Sequence, residues 1–127
     1  MTLVIDTSAI LAIYFNEPHA QWAADQLARA DRIVMSTVNL TECIIRLRDR
    51  QPADADDLEQ RLLNSGIDFV PPDTAQAALA ARARFDFPLN LGDCFAYALA
   101  KLENLPLLTL DLDFRAVDIP LILPPPA

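Results

Sequence analysis

Apolar residues along this chain fall into short runs and into longer segments with helical spacing. Five short runs, rich in aliphatic and aromatic residues, predict strands at residues 3–5, 33–35, 68–70, 107–109 and 121–123. The first run ends at once in a polar triplet, residues 6–8, and helix-forming residues follow directly. This is the pattern of a buried strand that runs straight into a helix.

Between these runs, apolar residues recur every three or four positions and predict six helices. The helices are expected after Asp6, from Pro18, from Ser36 or Thr37 to about Arg50, over 54–65, from Asp73 to about Arg84, and from Gly92-Asp93 to Asn104. Strands that alternate with helices at this rate imply a mainly parallel sheet with helices on both faces.

The length of the chain and its last residues bound the domain organisation. A chain of 127 residues is near the commonest size of one domain, so residues 1–127 are expected to form a single unit. Three prolines at 124–126 cannot extend a sheet. Residues 124–127 are therefore expected to leave the domain as an exposed, proline-rich tail.

Composition excludes several classes of protein. With only two glycines, the chain has no glycine-rich loop for nucleotide phosphates. The first residues are not basic, and no apolar stretch is long enough for a signal peptide or a membrane span, so a cytoplasmic protein without membrane contact is expected. A net charge of -8 argues against broad attraction to nucleic acid, unless clustered carboxylates hold divalent cations that supply positive charge locally.

Zinc and triad chemistry lack the residues they need. Cys43 and Cys94 each lie in an apolar helical pattern and are expected to be buried free thiols. His19 is the only histidine, and its place beside Pro18 is typical of an exposed residue at the start of a helix. The sequence therefore offers neither a zinc site nor a Ser-His-Asp triad.

Acidic residues stand where a parallel sheet places its ligand sites, beyond the carboxyl ends of the strands. Asp6 directly follows the first strand, Asp93 stands at the mouth of an almost wholly apolar helix, and Asp111 and Asp113 follow the fourth strand. Helix capping competes with a functional role for Asp6 and Asp93. In an extended stretch Asp111 and Asp113 would point the same way, so one could serve the site while the other caps the next turn.

Glu42 is a further candidate, because its neighbours in the predicted helix are apolar or small. The alternative is an exposed ion pair with Arg46, one turn later in the same helix.

Together these segments resemble a PIN domain, and in particular the VapC-type toxins of bacterial toxin–antitoxin pairs. Residues 4–9 resemble the family's opening strand with its first aspartate, and residues 36–42 resemble its helix with the catalytic glutamate. Residues 91–100, from Leu91-Gly92-Asp93 onward, resemble the third acidic motif residue for residue, and residues 107–114 resemble the last. The stretch 84–90 departs from the family, being shorter and less basic than the loop that many of these toxins carry there.

This resemblance implies a three-layer α/β/α fold with a short, mainly parallel central sheet. It also implies that Asp6 and Asp93 are the metal ligands, with Glu42 and a fourth acid completing the catalytic pocket. Asp113 matches the toxin-like pattern for the fourth acid by its place before Phe114, whereas other PIN domains carry it at the position of Asp111.

The activity implied by the resemblance is that of a toxin endoribonuclease that hydrolyses RNA phosphodiesters. Oxygen ligands alone favour Mg²⁺ or Mn²⁺ as the cofactor over zinc. The implied partners are an RNA substrate, a cognate antitoxin with a basic tail and a second copy of the chain in a homodimer.

Two other interpretations stay open at this point. A catalytically inert PIN-like interaction domain would keep the fold and use its acids only as caps, and it is distinguished by whether Asp6, Glu42 and Asp93 converge. A phosphorylatable receiver-like domain would need an acidic pair after the first strand and a lysine late in the sheet. Thr7 and Ser8 follow Asp6 instead, and Lys101 lies within a predicted helix, so this interpretation ranks last.

Overall fold

The computed structural model describes residues 1–126 and contains a five-stranded parallel sheet. The strands are β1 (Thr2–Ile5), β2 (Arg32–Ser36), β3 (Asp68–Val70), β4 (Leu107–Leu108) and β5 (Leu121–Ile122). Their order is β3-β2-β1-β4-β5, and each neighbouring pair is parallel. All five predicted strands are therefore present, and the sheet is parallel throughout.

Six α-helices cover the two faces of this sheet. They are α1 (Thr7–Tyr14), α2 (Ala20–Arg29), α3 (Thr37–Arg50), α4 (Ala55–Leu63), α5 (Thr74–Asp86) and α6 (Leu91–Glu103). A short 3₁₀ helix, Leu112–Ala116, follows β4. The α/β/α class expected from the sequence is confirmed.

Alternating strand residues supply two separate cores. Val4, Val34 and Leu107 pack with α5 and α6 on one face of the sheet. Leu3, Ile5, Met35 and Leu108 pack with α1, α3 and α4 on the other. Successive side chains of a strand point to opposite faces, so strands covered by helices on both sides must be apolar at nearly every position.

Two helix starts differ from the prediction. Helix α2 begins at Ala20 and not at Pro18, because His19 takes a left-handed backbone conformation with φ of 70° and cannot lie within a right-handed helix. Helix α6 begins at Leu91 with Asn90 as its cap, so Asp93 occupies the third helical position and does not open the helix.

The segment after β4 also differs from the prediction. Residues 112–116 are helical and not extended, so Asp111 and Asp113 do not point the same way as an extended strand would place them. Asp111 caps the 3₁₀ helix by accepting a hydrogen bond from the Asp113 backbone at 2.9 Å.

The remaining expectations concern the thiols and the two ends of the chain. Cys43 and Cys94 are buried and free, and burial raises the pKa of Cys43 to about 12. Pro124 is half-buried and Pro125 and Pro126 are exposed, whereas Ala127 of the predicted tail lies outside the described residues. In residues 1–126, no helix combines the length and the apolar character needed to cross a bilayer.

Helix α6 provides a matched pair of leucines for testing the core assignment. Leu99 is fully buried, whereas Leu102, one turn later, is 49% exposed. We expect Leu99→Ala to lower the free energy of unfolding by about 3 kcal/mol, because it removes buried methyl groups and leaves a cavity. Leu102→Ala should change it by less than about 0.5 kcal/mol in the same urea titration. Equal losses would contradict the burial of α6 against the sheet.

Candidate active site

Asp6 lies at the carboxyl end of the central strand β1 and is only 2% exposed. Its Oδ1 accepts hydrogen bonds from the Ser8 hydroxyl at 2.7 Å and from the Ala9 backbone at 3.2 Å. Its Oδ2 accepts a bond from the Thr109 hydroxyl at 2.6 Å. Asp6 therefore caps α1 and is also held by the neighbouring strand, so capping and a place in the site are compatible.

Thr109 was missed in the sequence analysis, although it directly follows β4. Its hydroxyl also accepts a bond from the Asp111 backbone at 3.0 Å, while Ser8 accepts one from the Leu110 backbone at the same distance. The ends of β1 and β4 are thereby joined by side-chain hydroxyls. The sequence does contain a signal for Thr109, which is a hydroxyl residue at the end of an apolar run, two positions before an acid.

Asp93 projects from the first turn of α6 and is half-buried. Its Oδ2 accepts a hydrogen bond from the Asn90 backbone at 3.2 Å, while Asn90 accepts one from the Asp93 backbone at 2.8 Å. This reciprocal capping box satisfies backbone donors that the helix start would otherwise leave unpaired. It also fixes the direction of the Asp93 side chain.

Glu42 is held by Thr7 of α1 and by Asn39 of its own helix α3, and not by Arg46. Its Oε1 accepts bonds from the Thr7 hydroxyl at 2.7 Å and from the Asn39 amide at 2.9 Å. Asn39 also donates to the Gly92 carbonyl at 3.1 Å. No salt bridge between Glu42 and Arg46 occurs among residues 1–126. Glu42 is thus directed toward the start of α6.

Gly92 leaves the space that the Glu42 carboxylate occupies. A Cβ atom built on Gly92 would lie 2.2 Å from both carboxylate oxygens, far closer than real contacts allow. Neither this packing nor the role of Asn39 was foreseen in the sequence analysis. The glycine is therefore required by Glu42, although its own backbone does not need positive φ.

The carboxylates influence one another electrostatically. Burial raises the pKa of Asp6 to about 6, against the lowering effect of its three hydrogen bonds, and the charge of Asp111 raises it further. Burial raises the pKa of Asp93 to about 7, and the charges of Asp111, Asp6 and Glu42 add to this effect. Four acids from four separate segments therefore share one region at the carboxyl ends of β1 and β4.

The two candidates for the fourth acid are placed differently. Asp111 is half-buried and is among the charges that raise the pKa values of both Asp6 and Asp93. Asp113 is exposed on the 3₁₀ helix. Asp111 is thus close enough to the cluster for its charge to raise the pKa values of Asp6 and Asp93.

The side chains, as they stand, do not close around a common point. Within residues 1–126, no three Asp, Glu, His or Cys side chains are grouped so that they could hold a metal ion. The hydrogen bonds described above account for this, because they hold Asp6 against Ser8 and Thr109, Asp93 against Asn90, and Glu42 against Thr7. Three of these acids could bind one ion directly only if at least one of the side chains rotated.

Comparison with known proteins places this geometry in a family. The sequence pattern of the PIN domain matches residues 3–120. The chain belongs to the PIN-domain family. Ribonuclease VapC42 of Mycobacterium tuberculosis is a relative with 36% identity over 126 residues, covering 92% of this chain and 96% of the relative.

Solved structures show the same PIN fold. VapC20 of Mycobacterium tuberculosis, a sarcin-ricin loop cleaving toxin, matches with a TM-score of 0.76 and 16% identity, over 90% of this chain and 93% of that one. VapBC2 from Rickettsia felis, bound to a DNA fragment from its promoter, matches with a TM-score of 0.75 and 15% identity, over 97% and 98% of the two chains. At these identities the structures establish the fold alone.

The contact between Glu42 and Gly92 predicts a strong coupling in this PIN domain. Gly92→Ala should destabilise the wild-type protein by about 1 kcal/mol or more, since Glu42 must give up its bonds to Thr7 and Asn39. In a Glu42→Ala background the same change should stabilise by up to about 1 kcal/mol, because alanine favours the helix. A double-mutant cycle from urea unfolding measures the difference, and an equal effect of Gly92→Ala in both backgrounds would contradict the contact.

The raised pKa values of Asp6 and Asp93 predict a pH dependence of stability without divalent cations. Both pKa values lie above the ordinary value of 3.8, so the folded protein binds more protons than the unfolded chain between pH 4 and 7. The stability that these groups contribute is complete below pH 4 and is lost as the pH rises through 6 and 7. The free energy of unfolding, measured in EDTA, should fall over this range, and the fall should be smaller in Asp93→Asn.

Asp54→Asn is the matched control for this measurement. Asp54 is exposed at the start of α4 and makes no capping hydrogen bond. Its substitution should retain the wild-type dependence on pH. A wild-type slope in Asp93→Asn would show that Asp93 is not desolvated in the folded protein.

Proposed function

We propose that this PIN domain is a metal-dependent endoribonuclease and the toxin of a toxin–antitoxin pair. The observation that carries the proposal is the convergence of Asp6, Glu42, Asp93 and Asp111 at the carboxyl ends of the central strands. Capping residues have no reason to converge, so the inert interaction domain is disfavoured. The ribonuclease names of relatives with 36% identity support the same activity.

Mg²⁺ or Mn²⁺ is the cofactor that suits this donor set. Carboxylates in mutual repulsion need a counter-charge, and ligands made only of oxygen favour hard divalent ions. We assign Asp6 and Asp93 as the residues that would hold the ion. When bound, a divalent ion lowers the pKa of water and neutralises charge on a phosphate.

Unused acceptor capacity on these carboxylates supports the assignment. Each carboxylate oxygen can accept two hydrogen bonds. Oδ2 of Asp6 accepts one bond, from Thr109, and the capping box of Asp93 uses only Oδ2. Oδ2 of Asp6 therefore keeps one acceptor position, and Oδ1 of Asp93 accepts no hydrogen bond from residues 1–126, so both carboxylates could still bind a cation while the existing bonds orient them as supporting residues do at metal sites.

Glu42 and Asp111 are assigned to the attacking water. Thr7 and Asn39 both donate to Oε1 of Glu42, so Oε2 is left to accept a hydrogen bond from water beside Gly92. Asp111 is fixed as the cap of the 3₁₀ helix and faces the same region. A carboxylate within hydrogen-bonding reach orients water and accepts its proton as the water attacks the phosphodiester.

The proposed setting in the cell follows the relatives of known structure. One solved structure with this fold is a toxin–antitoxin complex from Klebsiella pneumoniae, and we propose for this chain a cognate antitoxin whose basic segment matches the acidic pocket. Self-association as a homodimer and a cytoplasmic location are parts of the same proposal.

The activity is tested with purified protein and a mixed RNA substrate. We expect cleavage with Mg²⁺ or Mn²⁺, none with excess EDTA, and a loss of about 10²-fold or more in Asp6→Asn and Asp93→Asn, since each removes a charge that would hold the ion. Circular dichroism verifies that the variants are folded. Cleavage that persists in EDTA or in both variants would refute the metal site, and no cleavage of any RNA would favour the interaction domain.

Asp111→Asn and Asp113→Asn are matched variants in the same assay. Asparagine preserves the capping bond at 111, so a fall in kcat of about 10- to 100-fold there reports the lost charge. Asp113→Asn should stay within about threefold of wild type, because the Asp113 side chain is exposed on the 3₁₀ helix. The reverse result would assign the fourth acid to Asp113.

A further inference from the structure

Three clefts beside the acid cluster join into one groove. The first, of about 280 Å³, is lined by Thr7, Glu42, Ile45 and Arg46. The second, of about 350 Å³, shares Arg46 with the first and reaches His19. The third, of about 370 Å³, shares His19 with the second and extends to Arg115 and the proline segment 124–126. Because each neighbouring pair shares a lining residue, the three clefts lie side by side on the surface, and this row of clefts is called the 46–115 groove below.

The groove passes directly beside the proposed catalytic residues. Glu42 itself lines the first cleft, and Ser8, which donates to Asp6 at 2.7 Å, lines the second. A linear molecule lying in the groove therefore contacts Glu42 in the first cleft and Ser8, the hydrogen-bond partner of Asp6, in the second. An endonuclease likewise binds its polymer substrate along a surface that passes its catalytic residues.

Unpaired cations lie along the groove. Arg46 and Arg115 are exposed, and neither forms a salt bridge with another of residues 1–126. By contrast, Arg48 lies 2.8 Å from Asp56 and 2.9 Å from Glu59. In a chain of net charge -8, two guanidinium groups without carboxylate partners along one groove are suited to bind phosphate oxygens in pairs.

The middle cleft has the character of a base-binding pocket. Its walls include Leu11, Pro18 and Leu110, against which the flat face of an unpaired base can pack. Glu17 also lines this cleft, and its carboxylate would repel a phosphate but accept hydrogen bonds from a base amino group. Phosphates are therefore expected at Arg46 and Arg115, with a base between them.

The loop that builds the middle cleft has an unusual backbone. Asn16 and His19 have φ values of 51° and 70°, a region that residues other than glycine seldom adopt. These two residues enclose Glu17 and Pro18, so the tight turn presents three consecutive side chains, 17–19, to one cleft. Such conformations persist where surrounding structure enforces them, and they are common in ligand sites.

We infer that the 46–115 groove is the track along which single-stranded RNA binds to this protein. Backbone phosphates contact Arg46 and Arg115, and one unpaired base enters the middle cleft. The inference rests on the proposed ribonuclease function and adds the path of the substrate to it. The bases of a duplex are paired with one another and cannot enter the middle cleft, so a duplex is expected to bind more weakly.

The test measures binding separately from cleavage, by fluorescence anisotropy of a labelled mixed-sequence RNA 12-mer with Mg²⁺. The full chain carries Asp93→Asn to prevent cleavage. Arg46→Ala and Arg115→Ala should each raise Kd about 5- to 10-fold and lower the slope of log Kd against log salt by about 1, since each removes one phosphate contact. The same RNA as a duplex should bind at least tenfold more weakly.

Arg82→Ala is the matched control, because Arg82 is exposed on α5 and lines none of the three clefts. It should leave Kd within twofold. The inference would be overturned by equal effects of all three substitutions or by no binding of RNA. It would also be overturned by unchanged binding in Arg46→Ala and Arg115→Ala. A groove that serves only a partner protein would give this last result.

Cleavage by the parent protein with Asp93 intact, and by Arg46→Ala and Arg115→Ala made in that wild-type chain, separates the two proposals. An unchanged KM for cleavage in Arg46→Ala and Arg115→Ala would refute the groove and leave the ribonuclease standing. Weakened RNA binding in these variants, with no cleavage by the parent protein, would support the groove and refute the nuclease.

Discussion

The buried carboxylate of Asp6 is the constraint on which the rest of the site depends. An ionised group that is almost fully removed from water must be compensated by hydrogen bonds or by a nearby positive charge. Ser8, Ala9 and Thr109 supply the hydrogen bonds, and they come from α1 and from the end of β4. The same bonds that make burial of Asp6 tolerable therefore join the two central strands at the edge where the other acids gather.

The order of the strands explains why that edge is the site. From β1 the chain builds outward through β2 and β3, then returns to the other side of β1 with β4 and β5. Connections on the two sides of β1 lead away in opposite directions, which leaves a crevice between β1 and β4 at their carboxyl ends. Helices α3 and α6 bring Glu42 and Asp93 to this crevice. The catalytic proposal thus depends on the strand order, which forms the crevice, and on the four acids that line it.

Local sequence patterns were sufficient for the elements but not for the contacts between them. Apolar runs and helical spacing located every strand and every α-helix, and position at a strand end singled out Asp6. The role of Thr109 was not predicted because its partner Asp6 is 103 residues away in the sequence, and hydroxyl residues at strand ends are common. The helical turn after β4 was not predicted because alternating Asp and Leu residues are compatible with an extended chain as well as with a capped turn. The path of the groove likewise depends on three segments, 16–19, 42–46 and 112–115, that no short-range pattern connects.

The missing side chain at Gly92 has a consequence for how such a site can change over generations. Because the Glu42 carboxylate fills the volume of a Cβ at position 92, the two positions are epistatic. A lineage can shorten residue 42 first and then acquire alanine at 92, which strengthens the start of α6. Once that alanine is present, glutamate can no longer return to its place against the helix. A single reversion at position 42 therefore does not restore the original site, because alanine at 92 occupies the space that the glutamate needs.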